Sequence, residues 1–230
     1  MMNFTEISIY FVLSTLLACA SLLDIYAMMA RTAVTREKNS EVFAISNWIQ
    51  YQARILTMVT AFSLSFCLEH AIIGSDIRTL FFFSGIEALI MIGLLVRTST
   101  LSGPLCILQK LTVSRFFGSL GAKDFKREVQ FCGKGRVLFI SFLVGYLVLA
   151  ATIVPFVFSQ SLPQYRMTLV YIGQAFNFGA SILTFTSLDR YFYQSMDAGS
   201  EQAYLNQQIG GRLFAQVAIT LSLAASYFFV

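Results

Sequence analysis

The sequence predicts an all-α fold: a polytopic membrane helical bundle of about six transmembrane helices, forming one domain over residues 1–230, with an amphipathic helix on the cytoplasmic side. Three observations carry this expectation. Only 12% of the residues are charged while 57% are hydrophobic, against roughly 25% charged in an ordinary soluble domain. Uncharged runs recur that are long enough to cross a bilayer, which takes about 20 helical residues. The basic residues between those runs alternate from one side to the other. Lipid offers no partner to an open backbone amide or carbonyl, so the runs must be helices.

Taken in order, the spans are expected at about 5–30, 46–70, 78–96, within 137–165, at about 166–188 and at 211–230. The first is interrupted by Asp24, the second contains Arg54, and the third holds Glu87 near its middle. The start, MMNFTEIS, carries no basic residue, so the first run is expected to remain as a span and not to leave as a signal peptide. Of the sixteen Lys and Arg, three lie in 31–45, eight in 97–136 and two in 189–212, against Arg78 and Arg166 in the intervening connections. Thirteen against two predicts that both termini face outward and that the three basic loops face the cytoplasm. Within the longest of these loops, LCILQKLTVSRFFGSL places Leu105, Leu108, Leu111 and Phe116 roughly on one face. That pattern fits a helix lying on the inner membrane surface, against membrane lipids.

Ionisable side chains inside spans point to function, because each costs at least about 2.5–3.5 kcal/mol to insert. Asp24 lies seven residues before Arg31, about 10 Å from the inner boundary, and Arg54 falls at a similar depth. The two are expected to pair. Glu87, about 15 Å from Arg97, either balances an arginine or takes up a proton. The second span carries Asn47, Gln50, Arg54 and Thr57 on one stripe, and the fifth repeats the device with Gln174, Asn177, Ser181 and Thr184. Such groups serve as interhelical glue when single. Two stripes and a buried arginine predict a shared hydrophilic cavity.

Missing chemistry narrows the choice. The single histidine, His70, excludes multi-histidine metal sites, and no phosphate-binding loop of the G-x-x-x-x-G-K-[ST] type occurs. No G-x-S-x-G nucleophile turn is present either. Cys19, Cys67, Cys106 and Cys132 lack the spacing of a zinc site or a disulfide framework. No cofactor and no nucleic-acid partner is expected, and a non-enzymatic role is favoured. Glu69, Asp76 and Glu87 leave a membrane-embedded isoprenoid-diphosphate hydrolase as one alternative, though no phosphate loop accompanies them. A non-transporting membrane scaffold is the other.

Four stretches resemble the Amj-type lipid II flippases, a small bacterial family described as an alternate to the MurJ flippase. They are SLLDIYAMMARTAVTREKNSEVFAISNWIQYQAR, RTLFFFSGIEALIMIGLLVRTSTL, QYRMTLVYIGQAFNFGASILTFTSLDRYFYQSMDAG and GGRLFAQ. The chain departs from the pattern where Phe178 separates Asn177 from Gly179 and where Arg190 follows Asp189. The resemblance implies a transporter of the bacterial cytoplasmic membrane that carries a polyprenyl-diphosphate-linked saccharide, lipid II or a similar cell-envelope precursor, from the inner to the outer leaflet. On that reading Arg54 receives the diphosphate bidentately and Asp24 holds Arg54 between substrates. Arg31, Arg97 and Lys110 gather the anionic head group at the cytoplasmic mouth. Gln50, Gln174, Asn177, Ser181 and Thr184 meet the polar head, with Glu87 and Asp189 completing the site.

Overall fold

The computed structural model describes residues 4–30, 39–70, 77–97 and 135–226. Among them no strand occurs. The helices are α1 (Phe4–Ala30), α2 (Asn39–Glu69), α3 (Ile77–Arg97), α4 (Arg136–Ser161), α5 (Arg166–Leu183), α6 (Asp189–Asp197) and α7 (Glu201–Ser226). A 3-10 turn, Pro163–Tyr165, joins α4 to α5, and a π-helical turn, Thr184–Leu188, joins α5 to α6 without a break. The amphipathic segment expected at 105–116 lies outside the described residues.

Apolar windows long enough to cross a membrane occupy four helices: Glu6–Met28 in α1, Ile77–Leu94 in α3, Arg136–Ser161 in α4 and Gln202–Ser226 in α7. The protein is therefore a multi-pass, membrane-embedded helical bundle. The remaining long helices, α2 and α5, carry the two polar stripes, which dilute their hydropathy. The last span starts ten residues earlier than expected, at Glu201 instead of 211. Glutamine and asparagine interrupt an apolar run without interrupting the backbone hydrogen-bond ladder, so the helix continues through Gln202, Asn206, Gln207 and Gln208. The fifth element likewise runs on as α6 to Asp197. It stops there in a Schellman motif, with Ser200 N–H donating to Ser195 O at 2.8 Å, Gly199 N–H donating to Met196 O at 3.1 Å, and Gly199 at φ 64°. That left-handed conformation suits a residue without Cβ.

Two apolar layers set the direction of each helix. One layer joins Leu13 and Leu17 of α1 to Leu64 of α2, Ile77, Leu80 and Phe81 of α3, Ala150 and Ile153 of α4, and Ile219 and Leu223 of α7. The other joins Ile25 and Met28 of α1 to Ala88 and Ile92 of α3 and Ile209 of α7. Successive long helices therefore run in opposite directions. Helix α5 follows suit, with Ala180 packed near Val144 of α4 and Gly173 against Ala151 O of α4, the carbonyl that Pro155 leaves without its helical donor. As a result the C-terminal ends of α1, α3 and α6 and the N-terminal ends of α2, α4 and α7 lie at one end of the bundle.

Helix α7 is the axis of the bundle. It packs extensively against α4 and α3, and further against α1 and α6, while α2 flanks α1 and α5 flanks α4. Leu205, Ile209 and Ala215 are fully buried along it. Close approach of α4 and α7 depends on Gly211, where a Cβ would meet Leu138 O and, at 2.7 Å, Phe142 N. Backbone cannot yield as a side chain can. Gly211→Ala should therefore lower thermal stability in detergent by about 1–3 kcal/mol, the usual range for overpacking. Gly93→Ala, where a Cβ meets nothing within 4 Å, should leave the unfolding temperature unchanged or slightly raised.

Candidate functional site

Polar residues recur every fourth position along α7: Gln208, Arg212, Gln216 and Thr220. Four residues advance a helix by slightly more than one turn, so the row winds slowly and stays on one side. Gln208, Gln216 and Thr220 are buried, and the Arg212 side chain is only 11% exposed. Hydrocarbon solvates none of these groups. Two neighbouring helices meet this row with polar groups: Asp24 of α1 pairs with Arg212, and Ser141 of α4 donates to the Gln208 backbone carbonyl.

The strongest of these partnerships is an ion pair. Arg212 Nη1 lies 3.5 Å from Asp24 Oδ2 of α1, whose side chain is 32% exposed. Gly145 of α4 makes the arginine's slot, since a Cβ there would approach Arg212 Cδ to 2.9 Å. Further along, Ser14 Oγ of α1 donates to Glu87 Oε1 of α3 at 3.0 Å, and Ser141 Oγ of α4 donates to Gln208 O at 2.6 Å. Ser84, one turn before Glu87, is also buried. Asp24 and Ser14 are ten residues apart, about 15 Å along α1. The polar groups thus form a seam running lengthwise between α1, α3 and α7, not a single cluster.

Several buried atoms of the seam have no partner among the described residues: Glu87 Oε2, Arg212 Nε, Gln208 Oε1 and Thr15 Oγ1. A buried polar atom without a hydrogen bond costs about 1–3 kcal/mol, more when charged. A bundle built only to stand would satisfy these atoms or replace them by apolar ones. What they can do is hydrogen-bond water or another polar group that reaches them.

The structure overturns two expectations. Asp24 pairs with Arg212, not Arg54. Arg54 is exposed on the outer side of α2, and among the described residues no carboxylate pairs with it. Nor do the two polar stripes share a cavity, because α2 flanks α1 and α5 flanks α4 on the far side of the bundle. Packing by the small and apolar faces of these helices (Ile49 and Ala53 of α2, Gly173 and Ala180 of α5) decides which side turns inward. The stripe hydroxyls bond their own helices: Thr57 to Ala53 O at 2.9 Å, Ser181 to Asn177 O at 2.9 Å and Thr184 to Ala180 O at 2.8 Å. Gln174 and Asn177 are exposed, and Gln50 is half-buried.

Among the other sequence candidates, Asp189 opens α6 just after the π turn and is half-buried. Tyr204 of α7 anchors that turn by donating to Leu188 O at 2.7 Å. Arg97 ends α3, and Arg31 and Lys110 lie outside the described residues. The carboxylates considered for hydrolysis do not assemble: Glu69 is exposed at the end of α2 whereas Glu87 turns to Ser14, and Asp76 lies outside the described residues. Arg212 was missed because its charge was counted with the preceding loop. The signal that finds it is the four-residue spacing of Gln208, Arg212, Gln216 and Thr220. Comparison with known proteins gives no match, whether to family models, curated proteins or solved structures.

Breaking the ion pair should destabilise the fold. Removing one partner of a buried pair costs about 3–5 kcal/mol, and the partial exposure of Asp24 places Arg212→Ala and Asp24→Ala near the lower end. The double variant Asp24→Asn/Arg212→Gln should unfold at a higher temperature than either single alanine variant. Strict additivity of the single effects would show that the two side chains do not interact.

Proposed function

We propose that this chain is a six-span transporter that moves the head group of a polyprenyl-diphosphate-linked saccharide from the inner to the outer leaflet of a bacterial cytoplasmic membrane. The termini lie outside and the basic segments in the cytoplasm. The observation that carries this reading is the Asp24–Arg212 pair inside the bundle, with buried atoms of Arg212, Gln208 and Glu87 that have no partner among the described residues. A guanidinium stays charged when desolvated and donates paired hydrogen bonds to phosphate oxygens, so Arg212 is the group that receives the diphosphate. Asp24 holds it between cargoes and, being one-third exposed, makes the pair reachable from the surface. The lipid tail stays in hydrocarbon throughout.

The resemblance to the Amj-type family supports the same residues. Asp24, Glu87 and Arg212 each fall within one of the stretches that carry it, Arg212 in GGRLFAQ. The four apolar spans account for most of the bundle, and α2 and α5 complete six by running alongside with alternating direction.

Direction of transport follows from charge. An inside-negative potential is worth about 2.3 kcal/mol per charge per 100 mV. A diphosphate diester with two charges therefore gains about 4–5 kcal/mol on full outward crossing, a bias of a thousandfold or more. In proteoliposomes, outward flipping of a labelled polyprenyl-diphosphate saccharide should slow when the potential is collapsed. An unchanged rate would assign the drive to removal of product outside.

Arg212→Gln should abolish this flipping while the folded, detergent-soluble fraction persists, and Gly93→Ala should flip at the wild-type rate. A scaffold would instead show no flipping in the wild-type protein. Release of phosphate from the same lipid would identify a hydrolase.

A further inference from the structure

The outer face of α2 presents a charge that the rest of the bundle does not answer. Helix α2 packs on α1 and leaves Tyr51, Ile55, Met58 and Phe62 exposed in the described residues. Arg54 stands on this apolar face, exposed and without an ion pair among the described residues. Its depth follows from the register of α1 and α2. Ser46 Oγ donates to Ala27 O at 2.8 Å, and Arg54 lies eight residues further along an antiparallel helix, about 12 Å. That places it opposite Cys19 and Ala20, close to the middle of the apolar window Glu6–Met28. An arginine can snorkel from a helix end, but a guanidinium at mid-depth is too far from either surface to do so fully.

We propose that this face is a docking surface for a transmembrane helix of a second, different protein, which presents a carboxylate at the level of Arg54. Charge complementarity selects the occupant. A second copy of this chain docking by the same face would set Arg54 against Arg54. It cannot supply the carboxylate from elsewhere either: Asp24 and Glu87 turn inward to Arg212 and Ser14, and the other described carboxylates, such as Glu6, Glu69 and Asp197, stand at or near helix ends. In hydrocarbon a charge-assisted, bidentate Arg–carboxylate contact is geometrically specific, so the partner must match in depth as well as in sign. The apolar side chains around Arg54 then pack against the partner helix as α1 packs on the other side.

The test uses the full chain reconstituted in phosphatidylcholine nanodiscs. A dye-labelled synthetic peptide, a 21-residue Leu/Ala transmembrane helix with one central Glu, Gln or Leu, is titrated and followed by energy transfer. The Glu peptide should bind the wild-type protein about tenfold more tightly than the Leu peptide, and Gln should fall between. Arg54→Lys should keep the preference for Glu, and Arg54→Gln should remove it without altering binding of the Leu peptide. Equal binding of all three peptides, or a preference that survives Arg54→Gln, overturns the proposal. So does an Arg54-dependent enrichment of phosphatidylglycerol with no peptide preference, which would assign the face to lipid head groups. None of these readouts depends on flipping, so the result stands apart from the fate of the transport reading.

Discussion

Hydrocarbon supplies no hydrogen bonds, and the rest of this structure follows from that constraint. It makes every crossing segment a helix, since only the helical ladder satisfies a backbone without outside help. It also sorts side chains by what neighbouring helices can offer. Apolar association between helices contributes little when lipid tails are equally apolar, so close approach and polar contacts must hold the bundle. Gly211 lets α7 lie against the α4 backbone, and Gly85 does the same at the α3–α7 crossing, where a Cβ would collide with Thr220. Ser141 then reaches Gln208 O and Ser14 reaches Glu87. Contacts of this kind are individually modest, often below about 1 kcal/mol, and they accumulate along one helix.

Helix α7 concentrates them. Its apolar residues Leu205, Ile209 and Ala215 are buried, yet the row Gln208, Arg212, Gln216 and Thr220 is buried beside them. A helix apolar all round would pack as well or better. Beside the row stand the Asp24 carboxylate of α1, paired with Arg212, and Ser141 of α4, which donates to the Gln208 backbone carbonyl. Helices α2 and α5 sit outside this arrangement. Their stripes contain hydroxyls that bond backwards into their own helix, which is how Ser and Thr are accommodated in lipid without any partner helix. Spacing along one strand of sequence does not separate a stripe of that kind from a cavity lining.

The apolar spans α1, α3 and α4 were legible because charge frames them: Arg31, Arg78, Arg97 and Arg136 stand at or just beyond helix boundaries. The partner of Asp24 was not legible. Two arginines, Arg54 and Arg212, were available, and depth estimated from loop boundaries could not choose between them. The register of Ser46 on Ala27 puts Arg54 about five residues, or 7–8 Å, further along α1 than Asp24, and pointing away. Lateral order decided the rest. Which helices stand side by side depends on where Gly145, Gly173 and Gly211 permit contact, and a glycine in an apolar run announces a close approach without naming its partner.

On the proposed transport reading, the charges of the seam bear on how an anion would traverse it. One guanidinium, Arg212, is flanked along the same passage by Asp24, which neutralises it, and by Glu87, which has no cation among the described residues. Two carboxylates and one guanidinium make a poor permanent trap for a dianion. A cage of several arginines would hold a diphosphate tightly in the low-dielectric interior, and tight holding defeats transport, which needs sites favourable enough to enter and weak enough to leave. On the proposed reading the anion would compete with Asp24 for Arg212, and the return of Asp24 would favour release. On that reading the sparse positive charge of the seam would let a lipid head group move onward and leave the membrane potential to set the direction.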